Sequence, residues 1–223
     1  WLVEVYMGYY LGIDIGSVTT KFAVLDKQNR LVSTLYLQTQ GKPVDIVQQG
    51  LKQIKAQLPE DVDICGVATT GSARYLAGVI VGADLVKNEI TCHAMATLHY
   101  IPQAQTIIEI GGQDSKIIII RNELVTDFGM NTICAAGTGS FLDHQALRLN
   151  MSIEELSQQV QSSNTPVHIA GRCTVFAESD MIHKQQMGHR TEDIIYGLCQ
   201  ALVCNYLNNV GLGKDIQPPI VFQ

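Results

Sequence analysis

Two short segments of the chain share an acidic residue, a glycine and a lysine at the same spacing, at residues 14–21 and 109–116. In each segment the glycine comes two positions after the acid and the lysine seven positions after it, and matched positions differ by 95 residues. A glycine-containing turn lets backbone N–H groups approach an anion, and lysine adds a positive charge. An acid would repel a phosphate unless Mg²⁺ lay between them. The two segments therefore predict a pair of loops that bind the phosphates of a nucleotide together with Mg²⁺.

We assign nucleotide contacts to polar residues and glycines of both loops. In the first loop these are Asp14, Gly16, Ser17, Thr19, Thr20 and Lys21, and in the second they are Glu109, Gly111, Gly112, Ser115 and Lys116. The alternative for each segment is a β-hairpin with an ordinary glycine turn and a solvated lysine, since short motifs often arise by chance. Two copies facing each other across a duplicated fold would form a clamp for a polyphosphate, so the repeat favours phosphate binding.

Two residues of the second loop are candidates for the catalytic step. Gln113 or Asp114 would orient an attacking water or hold Mg²⁺ through water. Hydrogen bonds that stabilise the turn are the alternative role for either residue taken singly.

The elements around the two loops repeat as well. An apolar strand precedes each loop, a second strand follows it, and a polar turn leads to a third strand. Apolar residues then recur on one helix face between 47 and 58, and again between 195 and 206. Ser152 and Glu155 have the spacing of a capping box, and a further strand begins at Ile220. Strand triplets followed by helices, twice over, predict a duplicated α/β fold divided into residues 1–102 and 103–223.

The composition excludes several classes of function. The chain has 223 residues, of which 46% are hydrophobic, and its formal net charge is −6. This apolar content supports a substantial core, and the acidic balance gives no electrostatic reason to bind nucleic acid. No segment has the length or the flanking charges of a membrane span or a secretory signal. We therefore expect a cytoplasmic protein that binds neither nucleic acid nor membranes.

Several stretches of the chain resemble known families. Residues 12–17 (GIDIGS) and 110–116 (IGGQDSK) are similar to the two phosphate motifs of the ribonuclease-H-like actin, Hsp70 and sugar-kinase ATPases. Residues 131–143 (NTICAAGTGSFLD) resemble the activator, or component A, of 2-hydroxyacyl-CoA dehydratases, a family that includes the ATPase subunits of benzoyl-CoA reductase. Further likeness to this family lies at 68–71, 88–94 and 170–180. The resemblance covers nearly the whole chain and implies a duplicated ATPase fold of this superfamily.

The resemblance also implies a metal centre. Members of this family are homodimers in which one [4Fe–4S] cluster bridges two identical subunits, and Cys134 and Cys173 match the positions of the cluster ligands. A cubane needs four thiolates, which two cysteines per subunit would supply across a twofold axis. The alternatives for the two cysteines are buried thiols or a zinc site. The other four cysteines are interpreted as structural. Gly137, Thr138 and Gly139 are candidates for a third loop near the nucleotide, and the alternative is that they form only a helix N-terminus.

The activity implied by this likeness is ATP-driven electron transfer. A reduced ferredoxin or flavodoxin would load one electron onto the cluster, and binding of ATP or ADP with Mg²⁺ would change the conformation around it. The electron would then pass to an iron–sulfur dehydratase or acyl-CoA reductase. A glycine-rich adenosine loop is expected in this family just after a strand like that at Ile220, and the chain ends at Gln223. We therefore expect a C-terminally truncated ATPase fold with weak ATP turnover.

Two other functions remain open from the sequence. A small-molecule kinase of the same fold, acting on a sugar or an acid, would need a catalytic carboxylate and a substrate pocket. A nucleotide-binding domain without catalysis would keep nucleotide affinity and lack hydrolysis.

Overall fold

The structure is a computed structural model that describes residues 8–131, 137–170 and 174–223. It divides into two compact units, Trp1–Met95 and Ala96–Gln223. The division falls within a helix, α3 (Glu89–Tyr100), whereas the sequence places it just after that helix. No helix within the described ranges is long and apolar enough to cross a bilayer.

The first unit is built on a mixed five-stranded sheet. Its strands are β1 (Gly8–Ile15), β2 (Thr19–Asp26), β3 (Leu31–Gln38), β4 (Asp63–Thr70) and β5 (Leu85–Val86). They lie in the order β3-β2-β1-β4-β5, with antiparallel pairing from β1 to β3 and parallel pairing from β1 to β5. Two helices accompany these strands, α1 (Pro43–Gln57) and α2 (Arg74–Val81).

Helix α1 covers the apolar side of this sheet. Val47 and Ile54 lie on one helix face because they are seven residues apart, and both are buried with Ile13, Ile15 and other strand residues. The Phe22 ring lies directly against Gly50 of α1, where a Cβ atom would stand 2.1 Å from Phe22 Cζ. This close packing fixes β1 and β2, the two strands that flank the first predicted loop.

The second unit repeats the order and the directions of β1 to β4. Its strands are β6 (Thr106–Ile110), β7 (Ser115–Arg121), β8 (Leu124–Asn131) and β9 (Ile220–Phe222), in the order β8-β7-β6-β9. Pairing is antiparallel from β6 to β8 and parallel between β6 and β9. Its helices are α4 (Gly139–Arg148), α5 (Ile153–Val160), α6 (Thr174–Gln186) and α7 (Thr191–Tyr206), which continues as a π-helical turn (Leu207–Gly211). The predicted duplication of an α/β fold is confirmed.

An irregularity in strand pairing repeats together with the strands. The register of β2 against β3 shifts between Val24 and Leu25, and that of β7 against β8 shifts between Ile119 and Ile120. The two shifts are 119 − 24 = 95 residues apart, which is the offset between the two predicted loops. The repeat therefore extends from the motif to the detailed geometry of the hairpins.

Two local predictions in the second unit are also confirmed. The Glu155 backbone N–H donates to Ser152 Oγ at 3.1 Å, and the Ser152 N–H donates to Glu155 Oε2 at 2.7 Å, which completes the capping box of α5. Helix α7 buries the apolar face that the spacing predicts, with Ile195, Leu198 and Tyr206 among its buried residues.

Candidate functional site

The first predicted loop is the tight turn between β1 and β2. Asp14 and Lys21 face each other across the two strands, with Lys21 Nζ 3.0 Å from Asp14 Oδ2. Both side chains remain partly exposed, Lys21 by 49% and Asp14 by 31%. The Gly16 N–H donates to the Thr19 carbonyl at 2.9 Å, which closes the turn. An exposed cation and carboxylate at a closed turn are able to contact a phosphate and its metal ion.

Thr20 lies behind this loop rather than at its surface. Its side chain is fully buried, and its hydroxyl lies 2.9 Å from Thr39 Oγ1. Thr39 Oγ1 in turn donates to the Gly16 carbonyl at 2.9 Å. Thr20 therefore supports the backbone of the loop in this structure, whereas Ser17 at its tip is exposed.

The connection between β4 and α2 forms a second wall of this site. Parallel pairing puts Thr70 in register with Asp14. Gly71 follows with a φ of +94°, and the Ala73 N–H donates to the Ile15 carbonyl at 3.1 Å. Sequence reasoning used residues 68–71 only as a family likeness and missed this contact. A glycine directly after a strand was the available signal, since ligands of such sheets bind at the carboxyl ends of parallel strands.

The second predicted loop has the same strand geometry and a different electrostatic environment. Lys116 pairs in register with Glu109 across β6 and β7, and its Nζ lies 3.1 Å from Glu109 Oε2 and 2.8 Å from Asp114 Oδ1. The Lys116 side chain is only 3% exposed. Gln113, at the tip of the turn, is exposed, and Ser115 is fully buried. Lys116 therefore neutralises the carboxylates of its own loop from inside the protein.

The start of α4 lies on this second loop. The Gly139 N–H donates to the Gly111 carbonyl at 2.8 Å, and the Ser140 N–H donates to the Gly112 carbonyl at 2.9 Å. The structure thus brings the predicted third loop, Gly137 to Gly139, together with the second. Because two amides of the helix start are engaged by loop carbonyls, α4 fixes the backbone of the glycine pair.

A residue that sequence reasoning treated only as part of a helix face completes this region. Tyr206, at the end of α7, is buried, and its hydroxyl donates to the Lys116 carbonyl at 2.8 Å. Burial raises the pKa of the Tyr206 phenol, and the negative charge of Glu109 raises it further. The hydroxyl therefore stays protonated and remains a donor to β7 across the neutral pH range. No local sequence signal marks this contact, since the two residues are 90 positions apart.

The predicted cluster ligands Cys134 and Cys173 lie outside the described residues. The four cysteines inside the described ranges, Cys65, Cys92, Cys199 and Cys204, are free thiols, and burial raises the pKa of the Cys199 thiol. Within those ranges no three His, Cys, Asp or Glu side chains come together as a metal site.

Comparisons with known proteins agree with the fold. The model of the BadF/BadG/BcrA/BcrD ATPase family matches residues 11–223. The (R)-2-hydroxyglutaryl-CoA dehydratase activating ATPase of Acidaminococcus fermentans is 36% identical over 216 residues, which cover 93% of this chain and 80% of that protein.

Two solved structures are similar along most of their length. The crystal structure of the Acidaminococcus fermentans (R)-2-hydroxyglutaryl-CoA dehydratase component A has a TM-score of 0.88 at 31% identity, covering 96% of this chain and 82% of that one. The activator of the 2-hydroxyisocaproyl-CoA dehydratase from Clostridium difficile, with bound ADPNP, has a TM-score of 0.84 at 31% identity, covering 96% and 79%. The architecture is the duplicated α/β fold of the actin, Hsp70 and sugar-kinase ATPases, and the chain belongs to the BadF/BadG/BcrA/BcrD ATPase family.

Proposed function

We propose that this protein is an ATP-hydrolysing activator of an acyl-CoA dehydratase or acyl-CoA reductase. The observation that carries the proposal is the pair of acid–glycine–lysine turns within a chain that matches an ATPase family from residue 11 to 223. The relative from Acidaminococcus fermentans is named as an activating ATPase of a dehydratase. The structure of a relative with bound ADPNP supports binding of a nucleoside triphosphate by the same fold.

Each loop has a distinct part in this proposal. In the first loop, Lys21 would contact phosphate oxygens and Asp14 would help to hold Mg²⁺, because both side chains are partly exposed. In the second loop, Lys116 fixes Glu109 and Asp114, and the exposed Gln113 orients the attacking water. The glycines of both turns allow the backbone to approach the phosphates.

The reaction that hydrolysis drives is, in this proposal, transfer of an electron to the partner enzyme. Cys134 and Cys173 would hold a [4Fe–4S] cluster shared by two subunits, which would accept an electron from ferredoxin or flavodoxin and deliver it at low potential. Helix α6 begins at Thr174, the residue after Cys173 in the sequence, and α4 begins five residues after Cys134. Helix N-termini favour nearby thiolates and anionic clusters, and this supports the assignment.

Metal analysis tests the cluster. The wild type, Cys134→Ala and Cys173→Ala are purified without oxygen, and iron, sulfide and zinc are quantified together with the oligomeric state. Cys65→Ala is the matched control, because Cys65 is an exposed thiol on β4. We expect about four irons per dimer in the wild type and the control, lost in both other variants. Zinc in place of iron, or iron that survives both substitutions, would contradict the cluster assignment.

Nucleotide binding is tested separately. Titration of the wild type with ADPNP and Mg²⁺ in a calorimeter measures affinity, and release of phosphate from ATP measures turnover. Lys21→Met is expected to weaken ADPNP binding. Lys27→Met is the control, because Lys27 lies in the turn that follows β2, at the end of that strand away from the loop. If Lys21→Met and the wild type bind ADPNP with equal affinity, the first loop is not part of the nucleotide-binding site. Phosphorylation of a small sugar or acid by a preparation without iron would instead indicate a kinase.

A further inference from the structure

Tyr206 joins the second loop to the longest helix of its unit. Its buried hydroxyl donates to the Lys116 carbonyl, and Lys116 Nζ contacts the carboxylates of Glu109 and Asp114. An anion or a metal ion that binds at this loop competes with those ion pairs. Tyr206 therefore holds the backbone of the same residue whose side chain makes those ion pairs.

Helix α7 is able to carry a shift of this residue over a long distance. It runs without interruption from Thr191 to Tyr206, a length of about 24 Å at 1.5 Å per residue. One side of it is buried along its whole length, with Ile194, Leu198 and Leu202 among the core residues. A helix that is packed in this way moves as one body rather than bending locally.

The start of α7 holds the chain segment made of residues 163–170. Asp193 Oδ1 accepts hydrogen bonds from Ser163 Oγ at 2.8 Å and from the N–H groups of Asn164 at 3.2 Å and Thr165 at 3.0 Å. The Val167 N–H donates to the Asp193 carbonyl at 3.1 Å. The segment 163–170 is thus fastened to the first turn of the helix at four points.

One turn further along, α7 packs directly against the 163–170 segment. A Cβ atom at Gly197 would stand 1.9 Å from the Val167 carbonyl oxygen. The segment ends at Ala170, whose N–H donates to Asp180 Oδ2 of α6 at 2.8 Å. Cys173 follows three residues later in the sequence.

The C-terminal end of α7 contacts the chain at Gly137, which is close to Cys134 in the sequence. A Cβ atom at Gly137 would stand 3.4 Å from the Tyr206 backbone nitrogen. Gly137 comes three residues after Cys134 in the sequence. The helix continues beyond Tyr206 as a π-helical turn, a feature that often marks functional positions in helices.

We propose that Tyr206 is a positioning residue that transmits a change at the second loop along α7 to the 163–170 segment. This inference rests on the proposed function, in which a nucleotide binds at that loop. Tyr206 does not contact the nucleotide; it acts through the Lys116 backbone. The consequence is that occupancy of the loop alters the hydrogen bonds that Asp193 makes to residues 163–167.

Hydrogen exchange on the full chain tests this coupling. Amide exchange is measured by mass spectrometry with and without ADPNP and Mg²⁺, for peptides that cover 109–116 and 163–170. The second peptide reports directly on the amides bonded to Asp193. In the wild type, we expect the nucleotide to change exchange in both peptides. Tyr206→Phe keeps the ring and removes the hydroxyl, so the 109–116 response remains while the 163–170 response falls about fivefold, the equivalent of one ordinary hydrogen bond.

Two further variants keep this test decisive. Tyr196→Phe removes a half-exposed hydroxyl from the same helix and should leave both responses unchanged. Asp193→Asn loosens the opposite end of the helix and should reduce the 163–170 response as Tyr206→Phe does, and it replaces that variant if Tyr206→Phe unfolds. A 163–170 response that survives both substitutions, or a wild type that responds only at 109–116, overturns the coupling. A wild type that neither binds ADPNP nor responds at 109–116 refutes the proposed function itself, and the coupling falls with it.

Discussion

Gly71 lies directly against Asp14, and the space between them admits no side chain. A Cβ atom at position 71 would stand 2.6 Å from Asp14 Oδ1 and 2.4 Å from the Ile15 carbonyl oxygen. The φ of Gly71 is +94°, a value that other residues rarely adopt. The position of the Asp14 carboxylate, which we assign to Mg²⁺ binding, therefore depends on the absence of a side chain at Gly71, in the connection between β4 and α2.

Replacing this glycine tests how far the first loop depends on it. Gly71→Ala is expected to lower the free energy of unfolding by roughly 2–4 kcal/mol, because it combines backbone strain with a clash against main-chain atoms. Displacement of Asp14 should also weaken ADPNP binding. Gly82→Ala is the matched control: its φ is also positive, at +64°, and no atom lies within 4 Å of the added carbon. That control should cost about 1 kcal/mol and leave ADPNP affinity unchanged. Urea denaturation and calorimetric titration measure the two effects.

The two equivalent lysines should differ in their contribution to stability. Lys116 is 3% exposed between two carboxylates, whereas Lys21 is 49% exposed. Lys116→Met removes the buried cation that lies against the Glu109 carboxylate and is expected to lower the free energy of unfolding by roughly 3–5 kcal/mol. Lys21→Met should cost at most about 1 kcal/mol.

A second substitution separates the lost charge pair from lost packing. Adding Glu109→Gln to Lys116→Met removes the buried carboxylate charge as well and should restore part of the stability measured in urea. Equal stability of the two single lysine variants would show that burial of Lys116 has no energetic consequence.

Gln113 is expected to act on turnover rather than on binding. Its side chain is exposed at the tip of the second loop, while Asp114 is engaged by Lys116. Gln113→Ala should lower kcat for ATP by roughly 10²-fold and leave ADPNP affinity unchanged, because an oriented water matters only in the reaction itself. Phosphate release under single-turnover conditions measures this. A fall in affinity with unchanged kcat would assign Gln113 to nucleotide binding instead.

Asp193 makes the free energy of unfolding depend on pH in the acidic range. The Thr165 N–H holds the pKa of this carboxyl below its ordinary value of 3.8, and the Ser163 hydroxyl and the Asn164 N–H add to the effect. A carboxyl whose pKa is lower in the folded state stabilises it above the ordinary pKa, and this contribution is lost as the pH falls below about 4. Asp193→Asn should therefore be less stable than wild type at neutral pH and approach it as the pH falls. Urea midpoints between pH 7 and 3 measure the difference, and parallel curves for the two proteins would refute the expectation.

The sequence was sufficient for the features that depend on local spacing. The Ser152–Glu155 capping box and the buried face of α7 both follow from spacings of three or four residues. Each of these patterns concerns neighbours in one element, so no knowledge of tertiary contacts is required.

Contacts between distant positions could not be predicted in this way. Thr20 lies behind its loop because strand alternation turns it towards Thr39, and the run of polar residues at 19–21 does not reveal which face is buried. Lys21 and Lys116 are equivalent in sequence, yet only Lys116 is enclosed, with Tyr206 bonded to its carbonyl. The burial of Thr20 and Lys116 depends on side chains from elements that are distant in the sequence. A single sequence does not show how such elements align with one another.

The matching register shifts in the two hairpins bear on self-association. β3 and β8 are outer strands of their sheets and expose large apolar side chains such as Tyr36, Leu124 and Phe128. A flat outer strand of this composition would recruit another chain edge to edge and seed aggregates. Irregular pairing of this kind, at Val24/Leu25 and at Ile119/Ile120, interrupts the regular alignment that such stacking requires. We expect the duplicated irregularity to disfavour polymerisation of this protein through its strand edges.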